Sequence, residues 1–150
     1  MSVRDDLFFR TGLPPLEAAR QLAELMDLIL DVQTRGRQLV KGQIPGSSLY
    51  SGGWVTANYL ANEPDEPSIL DHYDVLWSIG SSDRRAETVH AEARRLFELA
   101  TERLPWPTLL MDDGSWLIAV WSPVQGKHDF PERTSSDRKH QELWMPHIPT

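Results

Sequence analysis

Residues 108–121, with the sequence TLLMDDGSWLIAVW, decide the fold. Two apolar runs, 108–111 and 116–121, flank the turn sequence Asp112-Asp113-Gly114-Ser115. Asp-Gly between apolar runs is the strongest short-range signal for a β-hairpin, so two antiparallel strands are predicted here.

The next strand signal upstream is residues 73–79 (YDVLWSI). One face of this segment carries Tyr73, Val75, Trp77 and Ile79, in strict alternation with the other face. We therefore predict that these four side chains share one face of a sheet and that helices cover that face.

Three other segments have weaker strand patterns. Residues 3–11 form a first strand that stops before Gly12, and residues 54–60 (WVTANYL) form a half-buried one. Between them, residues 31–53 predict a long glycine-containing connection with a short strand at residues 38–40.

Apolar residues at helical spacing predict two amphipathic helices. The first begins at Pro14-Pro15 and continues to Leu30. The second begins at residues 81–83, where a serine or aspartate can cap it, and ends before Pro105, with Glu92 on its polar side.

The last part of the chain, residues 123–150, is rich in proline and mixed charge, which predicts an extended or partly disordered C-terminal tail. Residues 1–122 are expected to form a single α+β domain. Its antiparallel sheet has about five strands in the order β-α-β-β-α-β-β, and both helices pack on one face.

Composition excludes several classes of function. The 150-residue chain contains no cysteine, which rules out disulfides, thiolate nucleophiles and cysteine-ligated zinc. A net charge of −7 opposes binding to nucleic acid or to an anionic membrane. No signal peptide and no apolar run of membrane-spanning length is evident, so a cytoplasmic protein is expected.

The negative charge is concentrated in residues 61–83, which hold six carboxylates and no lysine or arginine. Two interpretations stay open: a solvated loop that keeps the protein soluble, or a docking surface for a basic partner. The second makes Glu63, Asp65, Glu66 and Asp71 candidate partner-binding residues.

Six tryptophans are a second notable feature of a chain of this size. Trp116 and Trp121 lie five positions apart on one predicted strand and are expected to face opposite sides of the sheet. Most of the tryptophans are expected to pack in the core. Because tryptophan is also a favoured residue at protein interfaces, Trp54 and Trp121 are candidate partner-binding residues as the alternative to simple packing, and Trp144 is expected to anchor the tail.

Catalytic and metal-binding motifs are weak. The glycine-rich residues 46–53 lack the Lys-Ser/Thr pair of a phosphate loop, and the five histidines form no metal-binding helix motif. Asp71, His72 and Asp74 could bind a cation, but a solvated strand entry is the better interpretation of them, and His90 needs no functional explanation. We expect no cofactor, no metal and no catalytic residue.

The chain resembles the small bacterial immunity proteins of polymorphic toxin systems, in particular the Sit-type family that pairs with swarm-inhibition toxins. The similarity covers residues 3–122 and is carried by residues 53–57 (GWVTA), 70–79 (LDHYDVLWSI) and 107–121. It implies a non-catalytic cytosolic protein, monomeric or homodimeric, that binds a cognate toxin and occludes its active site.

Two alternatives remain: a small hydrolase-type enzyme using carboxylates or a histidine, and an accessory protein-binding module. A buried carboxylate or histidine pair converging in a cleft would favour the enzyme.

Overall fold

The computed structural model describes residues 3–32, 37–112 and 115–149. Within these ranges the chain forms an α+β fold with one antiparallel sheet. In chain order the elements are β1 (Asp5–Phe9), α1 (Pro15–Met26), β2 (Ile29–Val32), β3 (Gln38–Gly42), β4 (Ser51–Ala57), β5 (Val75–Ser81), α2 (Ala86–Arg103), β6 (Thr108–Asp112), β7 (Trp116–Ser122), β8 (Gly126–Thr134) and α3 (Gln141–Trp144).

The strand order across the sheet is β2-β3-β4-β5-β1-β6-β7-β8, and all neighbours are antiparallel. Strands β2–β5 and β6–β8 are therefore two meanders, with β1 inserted between them. The α+β class is confirmed, but the sheet of the described residues has eight strands rather than about five. All residues of β1 are buried, because it is hydrogen-bonded on both sides and covered on both faces.

Helix α1 is shorter than predicted. It begins at Pro15, which suits a first-turn position, and ends at Met26, after which Asp27 caps it with a left-handed backbone, φ 57°. The extension of this helix to Leu30 is wrong: Ile29 and Leu30 belong to β2, which pairs with β3. The short strand predicted at 38–40 lies within β3.

Helix α2 connects β5 to β6 by crossing over β1. The helix begins at Ala86 rather than at residues 81–83, and its N-cap residue is Arg85, whose side chain makes no capping hydrogen bond, so the predicted cap is wrong. Asp83 lies just before the helix and accepts hydrogen bonds from the Arg85 backbone N–H (3.1 Å) and the Thr88 hydroxyl (3.2 Å). Both α1 and α2 pack on the same face of the sheet, which confirms that part of the prediction. We call this the helix face; its core includes Leu7, Phe9, Leu22, Val55, Val75, Trp77, Ile79, Leu96, Phe97 and Leu110.

The opposite face, which we call the back face, carries a second core over β1 and β6–β8. Two chain segments cover it: the 3-10 turn at Ile69–His72 and the C-terminal helix α3. The core there includes Phe8, Ile69, Tyr73, Leu76, Leu109, Met111, Leu117, Val120, Phe130 and Trp144.

Residues 126–149 therefore correct the prediction of an extended or partly disordered tail. Nine of them form β8, and the Trp144 side chain is only 2% exposed. Its indole N–H donates to the Asp137 carbonyl at 2.8 Å. The physical reason is that Phe8, Leu109 and their apolar neighbours would otherwise face water.

Tyr73 is a second correction. Strand pairing begins at Val75, and Tyr73 instead ends the 3-10 turn that runs beneath the back face. Its ring consequently packs on the back face, whereas Val75, Trp77 and Ile79 face the helices as predicted.

The predicted hairpin is present as β6 and β7, although Asp113 and Gly114 of its turn lie outside the described residues. A bulge shifts the register between Leu110 and Met111. Trp116 and Trp121 pair with Asp112 and Thr108, two residues of the same face, so they share the helix face. The expectation that they face opposite sides is wrong because it assumed unbroken alternation.

None of the helices in the described parts of the chain has the length and apolar content that a membrane span requires.

Candidate functional site

The acidic loop, which we define as residues 58–68, joins β4 to the 3-10 turn. Glu63, Asp65 and Glu66 are all exposed on it. No ion pair among the described residues involves any of the three. Their negative charge is consequently available to a partner rather than neutralised within the chain.

The start of the acidic loop is fixed by Asn58. Its amide nitrogen donates to the carbonyls of Leu70 and Tyr73, both at 2.9 Å, and its oxygen accepts from the Leu60 N–H at 3.0 Å. The Asn58 backbone N–H also donates to the Asp74 carbonyl at 3.0 Å. One half-buried side chain thus ties the loop to the segment that enters β5.

The end of the acidic loop is fixed by Asp71. Its carboxylate accepts from the backbone N–H groups of Asn62 (2.6 Å) and Ser68 (3.1 Å), while the Ser68 hydroxyl accepts from the Leu70 N–H (3.1 Å). The Ser68–Asp71 pair is a capping box. Asp71 therefore positions the loop, and its carboxylate is not presented to solvent as those of the other three predicted residues are.

A cavity of about 490 Å³ lies beside the acidic loop, lined by Arg10, Asn58, Asp71, Tyr73 and Asp74 among others. Burial raises the pKa of the Tyr73 hydroxyl well above its usual value, and this hydroxyl has no hydrogen-bond partner among the described residues. The Arg10 guanidinium donates to the Pro149 carbonyl at 2.8 Å, which ties the chain end to this region.

Asp74 accepts from the backbone N–H groups of Thr11 (2.7 Å) and Gly12 (2.8 Å). Like Asp71, it uses its carboxylate to hold backbone. These backbone hydrogen bonds explain the positions of Asp71 and Asp74, the two candidate cation ligands predicted with His72.

The tryptophans predicted to bind a partner do not form one surface. Trp54 is half-buried on the back face of β4, where the Arg37 guanidinium lies 5.6 Å from its ring centre. Trp121 packs against the core on the helix face, four strand positions away across the sheet. Of these two tryptophans, Trp54 is the one on a surface that no helix of the described residues covers.

The structure also brings together three residues that sequence reasoning did not connect: Asp5, His90 and Asp112. The His90 Nδ1 lies 2.8 and 3.0 Å from the two carboxylate oxygens of Asp5 and 3.6 Å from an oxygen of Asp112. They come from β1, α2 and β6, and no local pattern could reveal their proximity, because it depends on β1 lying between β5 and β6 beneath α2.

Glu92 was predicted on the polar side of α2 and is instead buried, at 3% exposure. It accepts hydrogen bonds from the hydroxyls of Ser47 (2.6 Å) and Ser51 (2.8 Å), and the Arg95 guanidinium lies 3.7 Å away. The glycine-rich residues 46–53 are thereby fastened to α2. These two hydroxyls satisfy the hydrogen-bonding capacity of the buried Glu92 carboxylate, so its burial is explained without a catalytic role.

Comparisons of the chain with protein-family models, with curated proteins and with solved structures each give no match.

Proposed function

We propose that this protein acts by binding: it is a non-catalytic immunity protein that neutralises a cognate protein toxin in the cytoplasm. The observation that carries the proposal is the acidic loop, where Glu63, Asp65 and Glu66 are exposed without ion pairs among the described residues while both ends of the loop are held by side-chain hydrogen bonds. A fixed cluster of unneutralised carboxylates suits a basic protein surface, such as the substrate groove of a nuclease.

Rigidity supports this interpretation because a preordered loop loses less conformational entropy when it binds. Exposed charges contribute mainly to the rate of association, since they attract a basic partner over a distance of about one Debye length, roughly 8 Å at physiological salt. The acidic loop would therefore mainly determine the rate at which the protein captures the toxin. Trp54 is the second candidate contact, on a different part of the molecule.

The test replaces Glu63, Asp65 and Glu66 together by lysine. The association rate with the product of the neighbouring gene, tested as the toxin, is measured from low to high salt. We expect the triple variant to associate at least tenfold more slowly at low salt and the difference to shrink as salt rises, because screening removes the attraction.

The matched control replaces Glu24, Glu102 and Glu132 by lysine, which changes the net charge equally at exposed positions elsewhere. If the two variants slow association equally, only net charge matters and the loop is not the interface. If the loop variant binds as fast as the parent at low salt, the acidic loop is excluded as the docking surface.

A second candidate function, a small enzyme using a histidine, is favoured by one observation: the imidazole of His90 is held by the buried carboxylate of Asp5, as a general base is often oriented. Cells that produce the toxin together with a His90→Gln variant separate the two functions. Full protection is expected from a binding protein, whereas loss of protection by a stably folded variant would favour the enzyme.

A further inference from the structure

We propose that Asp5, His90 and Asp112 bind a divalent transition-metal ion, with Zn²⁺ as the best fit. One imidazole nitrogen and one carboxylate oxygen from each aspartate lie within 4.8 Å of one another. This site is separate from the acidic loop, because the two lie at opposite ends of β1. Asp5 is the first residue of β1, whereas the acidic loop and the 3-10 turn lead into Val75, which pairs with Phe9, the last residue of β1.

The distances between the donor atoms suit a shared cation. In a tetrahedral zinc site with bonds of about 2.0–2.1 Å, neighbouring ligand atoms are about 3.3 Å apart. The separations from His90 Nδ1, at 2.8 and 3.0 Å to Asp5 and 3.6 Å to Asp112, lie on both sides of that value. The Asp5 and Asp112 oxygens lie within 4.8 Å of each other, so side-chain movements of at most about 1.5 Å would place a cation between the three side chains.

The rigidity of the three ligands also favours a site. Asp5 lies in the central strand and is only 2% exposed, His90 is in the second turn of α2, and Asp112 ends β6. Ligands on packed strands and helices hold their separations better than ligands on loops. A cation here would join α2 to the two strands that it crosses.

Charge and access are suitable as well. Two carboxylates converge on one imidazole, and a bound divalent cation would balance their charge in a position where Asp5 is withdrawn from water. The side chains of His90 and Asp112 are 40% and 30% exposed, which leaves a solvent side for entry and for a water ligand.

The choice of metal follows from the ligand types. An imidazole suits zinc, copper, iron and nickel, whereas magnesium and calcium prefer oxygen ligands alone. One histidine with two carboxylates and an open position is compatible with zinc, which also accepts this mixture of nitrogen and oxygen.

The experiment is a calorimetric titration of the chelator-treated, full-length protein with ZnCl₂ at neutral pH, repeated with His90→Gln and Asp112→Asn. We expect one Zn²⁺ per chain in the parent. Removing even an outer partner of a metal ligand typically weakens binding 10–100-fold, so loss of a direct ligand should weaken it by about 100-fold or more. Zn²⁺ should also raise the melting temperature of the parent and not that of the variants.

His147→Gln is the matched control, because it removes an imidazole from the stacked His128–His147 pair, whose ring centres are 3.9 Å apart. This variant should bind Zn²⁺ like the parent. Absence of binding by the parent at millimolar Zn²⁺ would overturn the proposal. Binding that persists in both His90→Gln and Asp112→Asn, or that is lost in His147→Gln, would place the ion elsewhere and overturn it too.

Discussion

The two halves of the back face differ in what covers them. Over β1 and β6–β8 the 3-10 turn and α3 bury a core that includes Phe8 and Trp144. Over β2–β4 no such cover is present among the described residues: Trp54 is half-buried, Lys41 is exposed and Ile29 is 65% exposed. A face of one sheet can thus be core in one half and surface in the other, depending on where the chain end docks.

The largest expected effect is on the covered half. Trp144→Ala should lower the free energy of unfolding by about 3–5 kcal/mol, because it removes a fully buried indole and leaves a cavity. The control is Trp54→Ala on the open half, which should change stability by about 1 kcal/mol or less. Denaturant unfolding of both variants tests the comparison, and similar losses would show that the two halves are equally buried.

The open half is expected to be sensitive to backbone spacing instead of side-chain burial. A Cβ atom added at Gly53 would lie 1.9 Å from the Ser78 carbonyl oxygen, so Gly53→Ala should force β4 and β5 apart and destabilise by about 2–3 kcal/mol. At Gly80 the nearest atom would be 4.0 Å away. Gly80→Ala should therefore be neutral in thermal unfolding; equal losses would contradict the register of β4 against β5.

A smaller change in the free energy of unfolding, of opposite sign, is expected for a substitution at Tyr73, on the covered half. Its buried hydroxyl has no partner among the described residues, so Tyr73→Phe should stabilise the protein by about 1 kcal/mol. A loss of stability on urea unfolding would mean that the hydroxyl is hydrogen-bonded in solution.

The smallest effect is a pH dependence at the edge of the covered half. Burial, and secondarily the charge of His128, lower the pKa of His147. Because the unfolded chain then binds this proton more readily, stability should fall as the pH decreases through the ordinary histidine value of about 6.5 and below it. His147→Gln should reduce that loss between about pH 7.5 and 5, and His128→Gln should reduce it less. Thermal unfolding at several pH values measures both, and an unchanged slope in His147→Gln would rule out this origin.

The carboxylates of the candidate site were predictable from the amino-acid sequence, but their separate roles were not. Glu63, Asp65 and Glu66 are exposed as a charge run usually is, and no local signal separated them from Asp71, whose carboxylate is used in a capping box. Asp71 follows Ser68 by three residues, which is the spacing of that motif and could have identified it. The contact between positions 5, 90 and 112 had no such signal.

Local periodicity and turn chemistry alone determined the α+β class, both long helices, β5 and the β6–β7 hairpin, because these depend on residues close together in the chain. Only the tertiary structure decided that β1 lies between two meanders, that a bulge places Trp116 and Trp121 on one face, and that Glu92 is buried. It also turned the expected tail into β8 and the cover of the back face. The physical reason is that each of these features depends on burying apolar surface or satisfying polar groups between segments far apart in sequence, and no local pattern records that energy.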